Sequence, residues 1–364
     1  MTDQAGFENP LSSLTDDVVS KEVLRWLPVE DIVRLTGVDK YTYGLVASAD
    51  DGTPAGVARM ARETIENGGR LGFRTVYTQT ALDACISERE PLDLALGAGY
   101  WDGDGPVIDR SPYAGDLFLW AGCDGQPLAE LKNGQITAGS GVVIIKMSGG
   151  MAAVGDGATV LRMEDGYCSV RSGGVVDTIV GGSVMVVDGH IGDVHAGHFR
   201  LEGASRIASV RGGQVTACDT TQIGEVFGGT FHLSQTAIVL KATGGDITLS
   251  DQAELREASG RAHVKALGNS IAVAYGQSTV MAYGQATVMA YEQARVEASG
   301  QARVEASGDS VVEAHEDSSV ALRENATVYA RGQATVEAHG GTVHLRSRGV
   351  TLINHGGATV REEF

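Results

Sequence analysis

Apolar and polar residues alternate with a period of two through residues 260–339. This stretch divides without a gap into ten octads, including GQSTVMAY, GQATVMAY, EQARVEAS and GQARVEAS. Positions 3, 5 and 7 of the octad are Ala or Ser, mostly Val, and nearly always Ala, whereas positions 4, 6 and 8 vary freely. Because successive side chains of a β-strand point to opposite faces, the pattern predicts one short strand per octad with its small residues buried.

The small size of these residues decides how the strands are arranged. The two sheets of an ordinary sandwich lie ~10 Å apart, and Ala and Val alone do not fill that space. In a solenoid, each strand pairs instead with its equivalent one coil later, ~4.8 Å away, so small residues stack in a narrow interior. The sequence therefore predicts a mainly β fold, a parallel β-solenoid (β-helix). A coil could hold two or three octads, and we favour two, which gives a flattened coil of 16 residues.

A looser form of the repeat extends upstream from Gly149. Units such as GGSVMVV, DGHIGDV and GGQVTAC begin with Gly-Gly or Asp-Gly, residues that suit tight corners. The last segment, RSRGVTLINHGGATVREEF, leaves the octad register after Gly340 and ends in charged residues, as a cap would. We therefore expect a solenoid with its C-terminal cap over 149–364, preceded by a transition segment and an N-terminal cap over 91–148.

The first part of the chain follows a different pattern. Apolar residues recur at helical spacing between residues 18 and 65, with Pro28 and Pro54 where helices would begin and Gly37 where one would end. This pattern predicts an α-helical N-terminal domain over residues 10–90.

Within that domain, VEDIVRLTGVDKYTYGLV resembles the helix-turn-helix of LacI-type repressors, with Gly37 and Val38 at the turn. The resemblance implies that Lys40, Tyr41 and Thr42 enter the major groove of DNA. It also implies that Arg34 contacts the DNA backbone. The longer run LRWLPVEDIVRLTGVDKYTYGLV also resembles an F-box, which we rank second. That resemblance implies docking onto a protein adaptor instead.

Composition and charge narrow the classes of partner. The 364 residues carry a formal net charge of −18, which repels nucleic acid and anionic membranes and attracts basic proteins. Residues 20–74 hold equal numbers of basic and acidic residues, so the negative charge lies elsewhere. The four cysteines form no CxxC pair, the N-terminus shows no apolar leader, and the longest aliphatic run is four residues. These features predict a cytoplasmic protein with reduced thiols and no membrane span.

Several polar clusters could carry chemistry, but the repeat or a simple turn explains each of them. DGHIGDVHAGH, residues 188–198, holds three histidines and two aspartates, yet His190 and His198 follow corner glycines of successive units and would lie on opposite edges. Outward carboxylates also recur with the octad, at Glu297, Glu305, Glu313 and Glu337. A catalytic site occurs once and breaks the period, so these periodic carboxylates are predicted to be structural. DGDG at 102–105 lacks the later ligands of a calcium loop. We therefore predict no catalytic residue, no metal ligand and no cofactor.

These observations together favour a non-enzymatic interaction or structural protein with a protein partner. The octads resemble those of uncharacterised bacterial and phage solenoid proteins, which implies a phage-encoded role in host interaction or structure. The N-terminal module would serve as an adaptor or bind DNA, and a homo-oligomer is also open.

Two alternatives stay open. One is an acidic DNA mimic or inhibitor that binds a basic host protein. The other is a spike-like protein that binds or cleaves carbohydrate through outward aromatic residues. With two octads per coil, only Tyr275 and Tyr291 would stack, because Tyr283 falls on the other side of the coil.

Overall fold

Parallel β-strands dominate the part of the chain that the structure describes. The computed structural model describes residues 74–86, 92–96, 101, 105–109, 117–121, 126–155 and 157–364. Of the predicted helical domain over 10–90, only 74–86 fall within these ranges, as strand β1 (Arg74–Val76) and helix α1 (Gln79–Ile86). The helix-turn-helix and F-box resemblances lie outside the described residues. The chain divides into one unit that ends at Leu161 and one that begins at Arg162.

The first unit contains short strands in two parallel sheets. After β1 and α1 come β2 (Leu92–Leu96), β3 (Val107–Asp109), β4 (Leu117–Ala121), β5 (Leu128–Asn133), β6 (Gln135–Ala138), β7 (Val143–Met147) and β8 (Met151–Val154), and β9 (Thr159–Met163) contains the boundary. Strands β1, β2, β4, β6 and β8 belong to one sheet, and β3, β5 and β7 to the other. The side chain of Gln79, at the start of α1, bonds both the N–H and the C=O of Val107 in β3.

The second unit is a regular parallel β-solenoid. Its even-numbered strands are β10 (Tyr167–Val170), β12 (Ser183–Val187), β14 (His198–Glu202), β16 (Gln214–Ala217), β18 (Thr230–Leu233), β20 (Asp246–Leu249), β22 (His263–Ala266), β24 (Thr279–Ala282), β26 (Arg295–Ala298), β28 (Val311–Ala314), β30 (Thr327–Ala330), β32 (Thr342–Leu345) and β34 (Thr359–Glu362). Its odd-numbered strands are β11 (Val175–Ile179), β13 (His190–Val194), β15 (Arg206–Val210), β17 (Gln222–Val226), β19 (Ile238–Ala242), β21 (Glu254–Ala258), β23 (Ile271–Ala274), β25 (Thr287–Ala290), β27 (Arg303–Ala306), β29 (Ser319–Leu322), β31 (Thr335–Ala338) and β33 (Thr351–Asn354). We call the sheets that they form the even sheet and the odd sheet.

The strand register confirms two octads per coil. In the even sheet Thr279 pairs with Arg295, and Arg295 pairs with Val311, so equivalent residues lie 16 positions apart. The odd sheet has the same spacing, as in the pair of Arg303 with Ser319. Consecutive octads therefore alternate between the two sheets, and each strand pairs with the strand two places on.

The interior contains the residues that the alternation predicts. In the octad 284–291, Ala286, Val288 and Ala290 are completely buried, while Thr287 and Met289 face outward. Farther upstream the same inward positions hold larger side chains, among them Phe231, which is also fully buried. Burial of this continuous apolar column is the main stabilising term, and each coil adds roughly the same contribution.

The corners between strands hold a left-handed backbone conformation, which explains the glycines. Gly308 has φ +67°, and a Cβ atom on it would lie 2.8 Å from the backbone nitrogen of Glu292, one coil earlier. Gly229 has φ +103°, a conformation that residues with a Cβ rarely adopt. At these two positions, Gly308 and Gly229, only glycine meets both the conformational and the steric requirement.

Three octad corners carry glutamate at the same left-handed φ. These are Glu292 (58°), Glu316 (54°) and Glu324 (55°). Each carboxylate accepts a hydrogen bond from the backbone N–H of the corner glycine one coil earlier; the donors are Gly276, Gly300 and Gly308, at 3.0, 2.6 and 2.6 Å. The side chain thereby satisfies a backbone donor that has no partner in either sheet, which offsets the cost of the left-handed conformation.

The segment predicted as a C-terminal cap, residues 346–364, forms the strands β33 and β34, which continue the stack. Strand β31 pairs with β33 and β32 pairs with β34. A polar network holds the end of the even sheet. His344 and Arg346 both contact the carboxylate of Glu363, at 2.5 and 3.0 Å, and the Arg346 guanidinium lies 4.3 Å from the ring centroid of Tyr329. Hydrogen bonds from His344 and then Arg346 lower the pKa of Glu363.

Candidate functional site

The outer face of the odd sheet contains a notch of about 330 Å³. Strand β29 presents only Ser319 and Ala321 outward at this level. Its two neighbours in the odd sheet have longer outward side chains: β27 presents Arg303 and Glu305, and β31 presents Thr335 and Glu337. The notch therefore exists because two small side chains on one coil lie between longer ones on the coils before and after.

The walls of the notch combine opposite charges with an apolar side chain. Arg303 and Glu305 lie on one side and Glu337 on the other. Ile353, on β33, closes the C-terminal end and is 47% exposed. Such a mixture suits a ligand that brings both an apolar group and a hydrogen-bonding group.

Next to the notch, one carboxylate and two imidazoles converge. Oε1 of Glu337 lies 3.2 Å from Nε2 of His339 and 3.0 Å from Nε2 of His355. The two imidazole rings are parallel within 1°, with centroids 4.2 Å apart. His339 follows β31 and His355 follows β33, so the stacking of successive coils brings the two rings together. We call Glu337, His339 and His355 the Glu-His-His cluster.

The electrostatics of the cluster favour an ionised carboxylate. Hydrogen bonds from His339 and then from His355 lower the pKa of Glu337 below its usual value. All three side chains are nearly half exposed, so water and dissolved ions reach them. Of the residues that the structure describes, only this cluster brings three potential metal-ligating side chains together.

The two histidines of the Glu-His-His cluster belong to a longer column of side chains at one edge of the odd sheet. Members of the column are 16 residues apart through the octads, and upstream it contains Arg211 and Phe227, whose guanidinium and ring are 5.3 Å apart. Tyr275 and Tyr291 also lie in it, with ring centroids 5.0 Å apart and planes at 16°, which confirms the predicted stacking. Tyr283 lies beside the even sheet instead, where Lys265 contacts its ring at 5.7 Å.

The segment 188–198, considered for a metal site from its sequence, is spread over two sheets. His190 begins β13 in the odd sheet, whereas His198 begins β14 in the even sheet. Asp188 and Asp193 bond within the solenoid: Asp188 accepts from the backbone N–H of Ala204 at 2.7 Å, and Asp193 accepts from the hydroxyl of Ser209.

The periodic carboxylates divide between the two sheets. Glu297 and Glu313 are direct neighbours in the even sheet, whereas Ala321 separates Glu305 from Glu337 in the odd sheet. The predicted DNA-contacting residues, Arg34, Lys40, Tyr41 and Thr42, lie outside the described residues. DGDG at 102–105 does so too, apart from Gly105.

Cys168 and Cys218, both in the second unit, are free thiols. Burial raises the pKa of Cys168 to about 12, and burial followed by the Asp219 carboxylate raises the pKa of Cys218. Since the thiolate is the reactive form, neither environment activates its sulfur.

Sequence reasoning missed the Glu-His-His cluster because two of its members lie in an octad and the third lies in the presumed cap. A signal was present, since Glu-Ala-His at 337–339 is followed by a histidine 16 residues after His339, one coil later. That spacing has meaning only once the coil length is known.

Comparison with known proteins does not assign the site. No family model matches this chain, and neither a curated protein nor a solved structure matches it. In the portion of the chain that the structure describes, no helix has the length and apolar character needed to cross a membrane. What the fold defines is a parallel β-solenoid protein.

Proposed function

We propose that this chain is a non-enzymatic interaction protein whose odd sheet binds a protein partner at the notch. One observation carries the proposal. Inward residues of successive coils are nearly constant, as in Val304, Val320 and Val336, whereas the outward residues one place on are Glu305, Ala321 and Glu337. Folding constrains the inward residues and the corners, so the variation on the outward face is available for recognition.

The chemistry of the notch supports a protein partner. Arg303 and Glu305 offer donors and acceptors, and Ile353 offers exposed apolar surface. Protein interfaces combine an apolar centre with a polar rim in this way, and arginine is enriched among the residues that dominate their binding energy. The notch lies at the lower end of the ~300–1,000 Å³ typical of ligand pockets, which suits one or two side chains of a partner.

The remaining parts of the proposal rest on the sequence alone. The N-terminal segment would be an adaptor or DNA-binding module by its resemblance to the helix-turn-helix or the F-box. A cytoplasmic location, a phage-encoded host-interaction role and self-association belong to the same proposal.

The two alternatives have less support. A DNA mimic requires charge of mainly one sign, whereas residues 162–364 mix 16 Lys and Arg with 23 Asp and Glu. A carbohydrate site would use the faces of Tyr275 and Tyr291, but each ring covers one face of the other. We therefore rank both below a protein partner.

Quantitative affinity purification with the full-length chain tests the proposal. Ala321→Arg fills the notch with a long charged side chain. As a control, Thr279→Arg introduces the same side chain at an outward position of the even sheet. We expect at least one protein that wild type and Thr279→Arg retain and that Ala321→Arg loses by ~10-fold or more, about 1.4 kcal/mol. Identical sets of proteins for all three chains would contradict a partner at the notch.

Two further measurements separate the alternatives. A gel shift with duplex DNA, repeated with Lys40→Ala and Arg34→Ala, tests the N-terminal module, and true DNA binding should weaken steeply with salt. A glycan array tests the carbohydrate alternative, which predicts binding that is lost in Tyr291→Ala and kept in Tyr283→Ala.

A further inference from the structure

We propose that the Glu-His-His cluster binds a divalent first-row transition metal ion, with Zn²⁺ as the reference ion. This inference is independent of the proposed function. Its donors are Oε1 of Glu337 and Nε2 of both His339 and His355, all within 4.8 Å of one another. The ion would connect the coil of β31 with the coil of β33.

The two separations between the carboxylate oxygen and the imidazole nitrogens match those around a tetrahedral ion. Zn²⁺ binds imidazole nitrogen at ~2.0–2.1 Å and carboxylate oxygen at ~2.0–2.2 Å, so two ligand atoms at a tetrahedral angle lie ~3.3 Å apart. The observed Oε1 to Nε2 separations are 3.2 and 3.0 Å. Because the two rings are parallel within 1°, both must tilt out of the stack before their Nε2 lone pairs point at one ion. Both side chains are nearly half exposed, which leaves room for that rotation.

Metal binding replaces the two hydrogen bonds to Glu337 without any other co-reactant. Each imidazole must present the lone pair of Nε2, so its remaining proton resides on Nδ1 and any second proton passes to solvent. The ionised carboxylate of Glu337 then balances part of the charge of the ion.

The donor set indicates the class of ion. Imidazole nitrogen favours Zn²⁺, Cu²⁺ and Ni²⁺, whereas Ca²⁺ and Mg²⁺ prefer all-oxygen sites. Three protein ligands leave a tetrahedral ion one further position, which water or a donor group from another molecule can occupy. Because Glu337 also lines the notch, a molecule bound there can reach that position.

The chain contains its own matched control. Glu313, Ala314 and His315 repeat the Glu-Ala-His sequence of 337–339, and Nε2 of His315 lies 3.9 Å from Oε2 of Glu313. One coil later, however, the equivalent residue is Arg331, not a histidine. The Glu-Ala-His at 313–315 therefore lacks the third ligand, and it should bind an ion much more weakly.

A competition titration of the metal-free, full-length protein against a chromophoric Zn²⁺ chelator at pH 7.5 tests the proposal. We expect wild type and His315→Ala to hold one equivalent of Zn²⁺ that His355→Ala and Glu337→Gln hold at least ~10–100-fold more weakly, since even outer-shell partners contribute that much to affinity. Co²⁺ absorption should report the same difference. The visible bands of a tetrahedral site should appear with wild type and should be absent with His355→Ala.

Thermal unfolding supplies a second readout and a control for folding. Zn²⁺ should raise the melting temperature of wild type and of His315→Ala, and should leave that of His355→Ala unchanged. Without metal, His355→Ala should keep the far-ultraviolet dichroism of wild type, because His355 is exposed. Equal Zn²⁺ affinity in wild type, His355→Ala and Glu337→Gln would overturn the proposal, as would an equal loss in His315→Ala; the cluster would then be a hydrogen-bonded carboxylate only.

Discussion

At the scale of single residues, the corner glutamates show how an unfavourable conformation is stabilised. A residue with a Cβ costs ~1–2 kcal/mol in the left-handed region, whereas glycine costs almost nothing there. At Glu324 the cost is offset by the hydrogen bond of 2.6 Å that its carboxylate accepts from the N–H of Gly308. The hydrogen bond and the conformational cost can be separated by two substitutions.

We predict that Glu324→Ala lowers the free energy of unfolding by about 1–2 kcal/mol, because it removes the hydrogen bond and keeps the strained conformation. Glu324→Gly removes both the bond and the strain, so it should remain within about 0.5 kcal/mol of wild type. Urea unfolding monitored by dichroism measures both values. A glycine variant that is less stable than the alanine variant would show that this account of the corners is wrong.

The buried serines at position 3 provide a second test at this scale. The Ser278 hydroxyl donates to the backbone carbonyl of Tyr275 at 2.8 Å, whereas the hydroxyl of Ser310 is buried without a hydrogen-bond partner in the structure. Ser310→Ala should therefore raise the free energy of unfolding by up to about 1 kcal/mol, and Ser278→Ala should not. The comparison fails if both substitutions change stability equally.

At the scale of the strand, the octads could be predicted because they repeat one local solution. Strict alternation fixed the inward residues, and the small size of those residues fixed the solenoid. The odd strands upstream were harder to predict. In β11 the buried residues are Val176 and Ile179, so two outward residues separate them and strict alternation fails.

A backbone irregularity explains that failure. In β13 the register skips Gly192, and a Cβ on this glycine would lie 2.2 Å from the carbonyl oxygen of Asp177 one coil earlier. In β17, Gly224 has the same relation to the carbonyl oxygen of Ala208, at 2.3 Å. Only the stacked coils reveal this close approach, so an analysis of one strand at a time could not predict it.

The narrow interior leads to a prediction at the strand scale. Ala290 is completely buried in β25, and a larger side chain there must push adjacent coils apart. Ala290→Leu should lower the free energy of unfolding by about 1–3 kcal/mol, while Met289→Leu on the outward face of the same strand should change it by less than about 0.5 kcal/mol. Chemical denaturation of the two variants measures the contrast, and equal effects would argue against a packed interior.

At the scale of the whole molecule, the solenoid should tolerate loss of a complete coil. Its stability is approximately a sum of contacts between neighbouring coils, so deletion of 276–291 removes one coil and rejoins equivalent positions. We predict that this variant unfolds cooperatively with native strand dichroism. Deletion of 276–287 removes only 12 residues, so the corners of later coils would lie against strands of earlier ones. This variant should lose the cooperative unfolding transition.

The functional site could be predicted less well than the fold, because it depends on contacts between coils and not on the pattern within one octad. The Glu-His-His cluster and the notch depend on which outward residues meet on successive coils, and hence on the coil length and on the path of the chain after Gly340. A sequence with a fixed inward pattern leaves the outward neighbours unspecified. The fold follows from the repeated residues, whereas the site depends on those that differ.

Disulfide trapping tests the coil length, on which both fold and site depend, most directly. Glu297 and Glu313 are paired neighbours in the even sheet, whereas Glu305, only eight residues from Glu297, lies in the odd sheet. Parallel neighbours lie ~4.8 Å apart, within the Cα separation that a disulfide spans. We predict that mild oxidation of Glu297→Cys/Glu313→Cys gives an intramolecular 297–313 disulfide, identified by peptide mapping, and that Glu297→Cys/Glu305→Cys gives none. A 297–305 disulfide, or no disulfide in either chain, would contradict the 16-residue coil.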